Sequence, residues 1–123
     1  MIRTEPIIGV TDVAGSSAWY QALLNCHSRH GGDIFEILAD EDDTVILCLH
    51  KWGAHDHPTM ADPGIQPGNG LILYFRVSDL QQVWENAQRL HATVEAAPHI
   101  NENSQMEEFA LRDPDGYYII VSK

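Results

Sequence analysis

Three histidines crowd one short stretch of this chain, His50, His55 and His57, with Asp56 between the last two. Imidazole nitrogens are ligands for zinc and its neighbours, so a His-x-His preceded by a further histidine is a candidate donor cluster. A zinc site needs its donors held within tetrahedral reach, and here they follow a strand and enter a loop rich in Pro and Gly. Glu5 is the other candidate group: in an apolar cup its carboxyl would have a raised pKa and could act as a general base. The remaining histidines, His27, His30, His91 and His99, show no ligand spacing and read as surface groups. Cys26 and Cys48 have neither metal nor redox spacing and are expected to stay reduced. No hydrolase nucleophile motif, Gly-rich phosphate loop or paired carboxylates can be read elsewhere.

These groups must be positioned by a chain of 123 residues with 44% hydrophobic content, which suits a single domain spanning residues 1–123. The formal net charge of −11 argues against nucleic acid and anionic membrane surfaces as partners, and is compatible with a cationic ligand. No apolar run approaches the ~18 residues of a membrane span. Residues Met1 to Pro6 lack a signal-peptide core, so the expected location is the cytoplasm.

Strand and helix periods alternate twice. Ile7-Ile8-Gly9-Val10 reads as a strand, with Asp12 as helix N-cap. Val13, Ala14, Trp19, Tyr20, Leu23 and Leu24 follow as a loosely helical apolar face, weakened by Gly15. Leu71 to Val77 is a second such strand, Asp79 the cap, and Leu80, Val83, Trp84, Ala87 and Leu90 the stripe, with Gln82 in capping-box position. The two units superimpose at one offset of 67 (about a dozen residues in shared register), placing Val10 on Val77, Asp12 on Asp79 and Leu23 on Leu90. Three strands follow each helix. They run Cys26 to His30, Asp33 to Leu38 and Thr44 to His50, then Thr93 to Ala96, Glu107 to Arg112 and Tyr117 to Ser122. Asp40-Glu41-Asp42-Asp43 is a solvated turn between strands. The order is βαβββ twice, with module one over about 4–51, a linker or lid over about 52–69, and module two over about 70–122.

The final strand pair turns through Asp113-Pro114-Asp115-Gly116. Proline presets φ, aspartate bonds back to local backbone, and glycine supplies φ > 0. With Val10-Thr11-Asp12-Val13, Trp19-Tyr20, Tyr74 to Leu80 and Phe109 to Tyr117, the chain resembles the glyoxalase / bleomycin-resistance / extradiol-dioxygenase superfamily (vicinal oxygen chelate fold) over nearly its whole length. In character it is nearest the small bleomycin-resistance-like members. The resemblance implies an α+β fold in which two tandem βαβββ modules form a curved mixed sheet around a concave cavity. It also implies a homodimer, in which modules from two chains complete the concave sites.

In metal-using members each module contributes one ligand from its first strand and one from its last. Carried over, those positions fall on Glu5, Leu47, Ile72 and Ile120, of which only Glu5 has a lone pair to give. His50 is read at the opposite strand parity. The resemblance therefore implies a site without a metal or other cofactor, lined by Glu5, Leu47, Leu49, Trp52, Ile72, Tyr74, Arg76, Tyr118 and Ile120. Ile8, Ile46 and Cys48 are expected beneath the first helix. The implied function is metal-independent binding or sequestration of a small, partly apolar molecule. The alternative is a glyoxalase-type lyase, isomerase or dioxygenase with a divalent metal (Zn, Ni, Mn or Fe) on Glu5, His50, His55 and His57.

Overall fold

Asp12 and Asp79 begin the two helices as their side chains dictate. Asp12 Oδ1 accepts from the Gly15 amide at 2.9 Å, and Asp79 Oδ1 from the Gln82 amide at 3.0 Å. Gln82 itself reaches forward, donating through Nε2 to Asn86 Oδ1 at 3.1 Å. The computed structural model describes every residue except Ile2, Asp56, Gln66, Pro67 and Gly70. It divides into two units, Met1–Gln66 and Pro67–Lys123.

The first unit runs β1 (Ile7–Val10), α1 (Val13–Leu24), β2 (His27–His30), β3 (Phe35–Ala39) and β4 (Val45–Lys51), followed by a single 3₁₀ turn over Pro58–Met60. Its sheet has the order β1-β4-β3-β2, with β1 parallel to β4 and the other pairs antiparallel. The second unit repeats this with β5 (Leu73–Arg76), α2 (Leu80–Arg89), β6 (Thr93–Ile100), β7 (Glu107–Arg112) and β8 (Tyr118–Ser122), in the order β5-β8-β7-β6. The expected βαβββ order thus appears twice, as two mixed four-stranded sheets with one helix each. β6 extends to Ile100, beyond the expected Ala96. Among the described residues, no helix is long and apolar enough to cross a membrane.

Side-chain contacts fix which face of each sheet lies under its helix. In the second unit the Trp84 ring of α2 meets Phe109 of β7 edge-on, with centroids 5.1 Å apart. Phe109 pairs with Val121, and Val121 with Phe75, so these residues share the helix face. In the first unit the Ser17 hydroxyl of α1 donates to Glu36 Oε2 at 2.9 Å, and Ser28 donates to Oε1 at 2.8 Å. A buried carboxylate therefore marks the helix face of β3. Glu36 is in register with Leu49, Leu38 with Leu47, and Ile8 with Leu49.

This reverses the expected parity of β4. Leu47 and Leu49 turn toward α1, whereas Cys48 and His50 occupy the face turned away from it. A one-residue slip moves every side chain to the other face. Here the run Ile46-Leu47-Cys48-Leu49 is apolar throughout, so alternation carries no signal. A register shift between Leu38 and Ala39, opposite the start of β4, further breaks the simple count. The face of α1 also differs from expectation. Ser16 and Ser17 are buried beside Val13, Tyr20 and Leu23, while Ala14 is exposed and Trp19 and Leu24 are half-buried.

The acidic stretch forms the expected turn. Asp40 N–H donates to the Thr44 carbonyl and Asp43 N–H to the Asp40 carbonyl, both at 2.9 Å. Hydrogen bonds from the Thr44 side chain and amide hold the Asp42 carboxyl below its ordinary range.

Both cysteines are free and buried. Burial pushes the Cys26 thiol from an ordinary 9.0 up to about 11, with the charges of Asp40 and Glu36 adding to the rise. Burial likewise raises Cys48, aided by the charges of Glu5 and Glu36. A raised thiol pKa keeps the native state protonated where the unfolded chain ionises, so this contribution is intact below about pH 9 and is lost as pH climbs above it. Urea midpoints should therefore fall more steeply between pH 9 and 11 for the wild type than for a Cys26→Ala/Cys48→Ala variant. Equal slopes would show that the thiols contribute nothing to alkaline sensitivity.

Candidate functional site

The end of β4 carries a histidine into a loop that turns two more back upon it. His50 is buried, at 3% exposure, in register with Gly9 of β1 and Phe35 of β3. The loop is closed by backbone bonds from Ala54 N–H to the Lys51 carbonyl (3.4 Å), Gly53 N–H to the Met60 carbonyl (2.7 Å) and Met60 N–H to the His57 carbonyl (3.0 Å). His55 adopts a left-handed backbone, φ 62°, which reverses the chain and returns its ring toward the strand. Gly9 has a local reason as well. A Cβ there would lie 2.8 Å from the Trp52 ring, so only glycine lets that indole lie against β1.

His50 Nε2 lies 3.1 Å from His55 Nδ1, and one nitrogen from each of His50, His55 and His57 falls within 4.8 Å of the other two. The three rings meet edge to face, with centroids 5.0 to 6.0 Å apart. His50 Nδ1 lies 2.8 Å from the Lys51 carbonyl. A ring nitrogen meets a carbonyl by donating its proton, so Nδ1 carries the N–H and Nε2 is the nitrogen that faces His55. The Phe35 ring, across the strand pair from His50, meets it edge-on, with ring centroids 6.2 Å apart.

Glu5 is exposed and stands outside this trio. Its charge helps to raise the Cys48 thiol. Asp56 lies outside the described residues. The four positions carried over from metal-using relatives do not fit a metal. Ile72 and Ile120 have no donor atom, and the register puts Leu47 under α1. Cys48, which takes its place on the other face, is a thiol that burial keeps protonated.

In the second unit, Tyr74, Ile120 and Ala110 share the face turned away from α2, as do Arg76, Ser122 and Glu108, and Tyr118 and Arg112. Tyr74 is 46% exposed, and Ile72, just ahead of β5, is 55% exposed. The Arg112 guanidinium lies over the Tyr118 ring, 5.0 Å from its centroid, while its Nε donates to Glu95 Oε1 at 3.0 Å. That stacked pair was not anticipated, although an arginine facing a tyrosine across an antiparallel ladder is a detectable pattern.

A family model of the Glyoxalase/Bleomycin resistance protein/Dioxygenase superfamily matches residues 4–121. The chain belongs to this superfamily. Solved structures agree on the fold. A glyoxalase/bleomycin resistance protein/dioxygenase family enzyme from Burkholderia phytofirmans PsJN superposes with a TM-score of 0.78 at 20% identity, covering 96% of this chain and 94% of that one. A bleomycin resistance determinant encoded on the transposon Tn5 gives 0.71 at 18% identity, covering 100% and 98%. TioX from Micromonospora sp. ML1 gives 0.75 at 12% identity, also covering 100% and 98%. No curated protein matches the chain. Members of the glyoxalase/bleomycin-resistance superfamily differ in chemistry, so function must be argued from the sites rather than from the fold.

Proposed function

We propose that this protein binds and sequesters a small, partly apolar molecule, with its principal contact surface on the second sheet. The observation that carries this reading is the pair Ile72 and Tyr74, both substantially exposed on or beside the sheet face turned away from α2. Apolar and aromatic groups clustered on an exposed face, with a few polar groups beside them, match the composition of a ligand site. Tyr74 offers a ring for stacking and a hydroxyl for hydrogen bonding, and Ile120 lies in register beside it. The net charge of −11 favours a cation. The likeness in fold to a bleomycin resistance determinant suggests a first probe. On this reading the contacts are made by side chains and need no metal. We also infer a homodimer in the cytoplasm, in keeping with small members of the superfamily.

The test is thermal unfolding with metal-free bleomycin and a panel of planar aromatic cations, in the presence of chelator. A ligand that binds only the native state adds about 2.7 kcal/mol at 100 times its Kd, which raises Tm by several degrees. Tyr74→Ala should weaken that binding about tenfold or more while leaving the unliganded Tm nearly unchanged, since its ring is exposed. No shift with any probe, or an identical response from Tyr74→Ala, would overturn the reading. The histidine trio favours a second reading, a metal-dependent glyoxalase-type lyase, isomerase or dioxygenase. Recovery of the bound molecule chemically unchanged separates sequestration from turnover.

A further inference from the structure

We propose that His50, His55 and His57 form a binding site for one transition-metal dication of the zinc class, built entirely within the first unit. This goes beyond the ligand-binding reading and does not rest on it.

Four features support the assignment. The donors come from two elements, with His50 fixed at the end of β4 and His55 and His57 on the loop that follows, so the strand supplies a rigid anchor and the loop an adjustable clamp. Their separations also suit a metal. Tetrahedral ligands at about 2.0–2.1 Å from zinc lie roughly 3.3 Å from one another, and His50 Nε2 and His55 Nδ1 are already 3.1 Å apart. His57 lies within the 4.8 Å span and is exposed, so a change of rotamer can bring it in.

The third feature is the Lys51 carbonyl, which holds His50 Nδ1 at 2.8 Å. A metal-bound histidine ordinarily donates its second ring nitrogen to a carbonyl or carboxylate, which orients the ring and raises its basicity. Here that outer partner is in place, and it leaves Nε2 as the donor atom. The fourth is the left-handed backbone of His55. Such a conformation is uncommon outside glycine, and in this loop it returns an imidazole toward His50.

The donor set decides the class of ion. Among the described residues the donors are three imidazoles, which suit zinc, nickel, cobalt or copper and are poor ligands for magnesium or calcium, which require oxygen. Three protein donors also leave at least one coordination position for water or a ligand atom, the arrangement of open rather than closed zinc sites. The site is distinct from the four strand positions of metal-using relatives, which this chain fills mostly with apolar residues.

The experiment is titration of the full-length apo-protein with Zn²⁺ against a chromophoric chelator, and with Co²⁺ followed by its visible spectrum. We expect one equivalent of tightly held metal and intense Co²⁺ absorption bands of a four- or five-coordinate site. His57→Ala and His55→Ala change exposed loop side chains, so both should fold normally; each should weaken Zn²⁺ at least about tenfold and bleach the cobalt bands. His99→Ala, an exposed histidine on β6, should change neither. The inference is overturned by affinity that persists in both loop variants, by weakening in His99→Ala to the same degree, or by weak Co²⁺ bands of an octahedral, solvent-like ion. No organic ligand enters this titration, and Tyr74→Ala should bind metal normally. Failure here therefore leaves the ligand-binding reading intact, and failure there leaves this one.

Discussion

Phe109→Ala is expected to remove about 3–5 kcal/mol of stability, the largest effect of any single change considered for this chain. Phe109 is fully buried on β7, an internal strand flanked by β8 and β6. Its ring meets Trp84 of α2 edge-on and is in register with Val121 on β8. The residue therefore joins the helix to the middle of the sheet. Truncation would lose the transfer energy of the ring and leave a cavity that the internal strands on both sides cannot collapse into. Phe109→Leu retains most of the volume and should cost roughly 1–1.5 kcal/mol. Urea denaturation followed by Trp fluorescence would measure both. A loss below about 1 kcal/mol for the alanine variant would mean that α2 repacks freely, contrary to the close packing expected of a buried core.

The second large effect is expected at a turn. Asp113→Ala should cost about 2–4 kcal/mol, more than most surface-loop changes. Asp113 is buried, and its Oδ1 accepts from the amides of Asp115 at 2.9 Å and Tyr117 at 2.8 Å. Its own amide donates to the Tyr117 carbonyl, and its carbonyl accepts from Gly116, both at 3.0 Å. Gly116 has φ 91°, so the chain reverses where only glycine is comfortable. Alanine at position 113 would remove the acceptor for both amides, including that of buried Tyr117, and an unpaired buried N–H costs more than a lost hydrogen bond. Asp113→Asn keeps the acceptor oxygen and loses only the charge, so it should recover at least half of the loss. Equal destabilisation by alanine and asparagine would show that the charge, rather than the acceptor geometry, holds the turn.

That turn was legible in the sequence because each of its residues has a local reason to be there. The helix caps Asp12 and Asp79 were legible for the same cause: short-range hydrogen bonds are written in adjacent residues. The repeat followed from two such signals recurring at one spacing. The faces of β4 were not legible. Ile46, Leu47, Cys48 and Leu49 are interchangeable in hydrophobicity, so nothing local shows which of them lies under α1. The answer came from a distant pair, Ser17 and Glu36, whose hydrogen bond fixes the helix side. A buried glutamate is improbable from composition alone, and the hydroxyls of Ser17 and Ser28 that donate to it make it tolerable.

The candidate site divided in the same way. The spacing of His50, His55 and His57 was visible as a cluster and, with Glu5, as an alternative metal set, but the parity reading of β4 set His50 apart from the face that was read as lining the cavity. Correcting the register puts His50 on the face turned away from α1, and the loop geometry brings the other two rings to it. On the second sheet the alternation of Tyr74, Tyr118 and Ile120 was legible, because polar and aromatic residues there interrupt the apolar pattern. The Arg112–Tyr118 stack depends on strand pairing and emerged only with it.

In each unit the strand translated last is an internal one. β4 bridges β1 and β3, and β8 bridges β5 and β7. A nascent first unit therefore carries β1 with no hydrogen-bonding partner until Val45–Lys51 has been synthesised, and its open edge awaits a segment from the far end of the same unit. Such closure by sequence-distant strands makes folding slow relative to local hairpin formation and leaves unpaired backbone vulnerable to other nascent chains. The first unit can complete its sheet while the second is still on the ribosome, so any hazard is met twice, briefly, by half a chain each time rather than once by the whole.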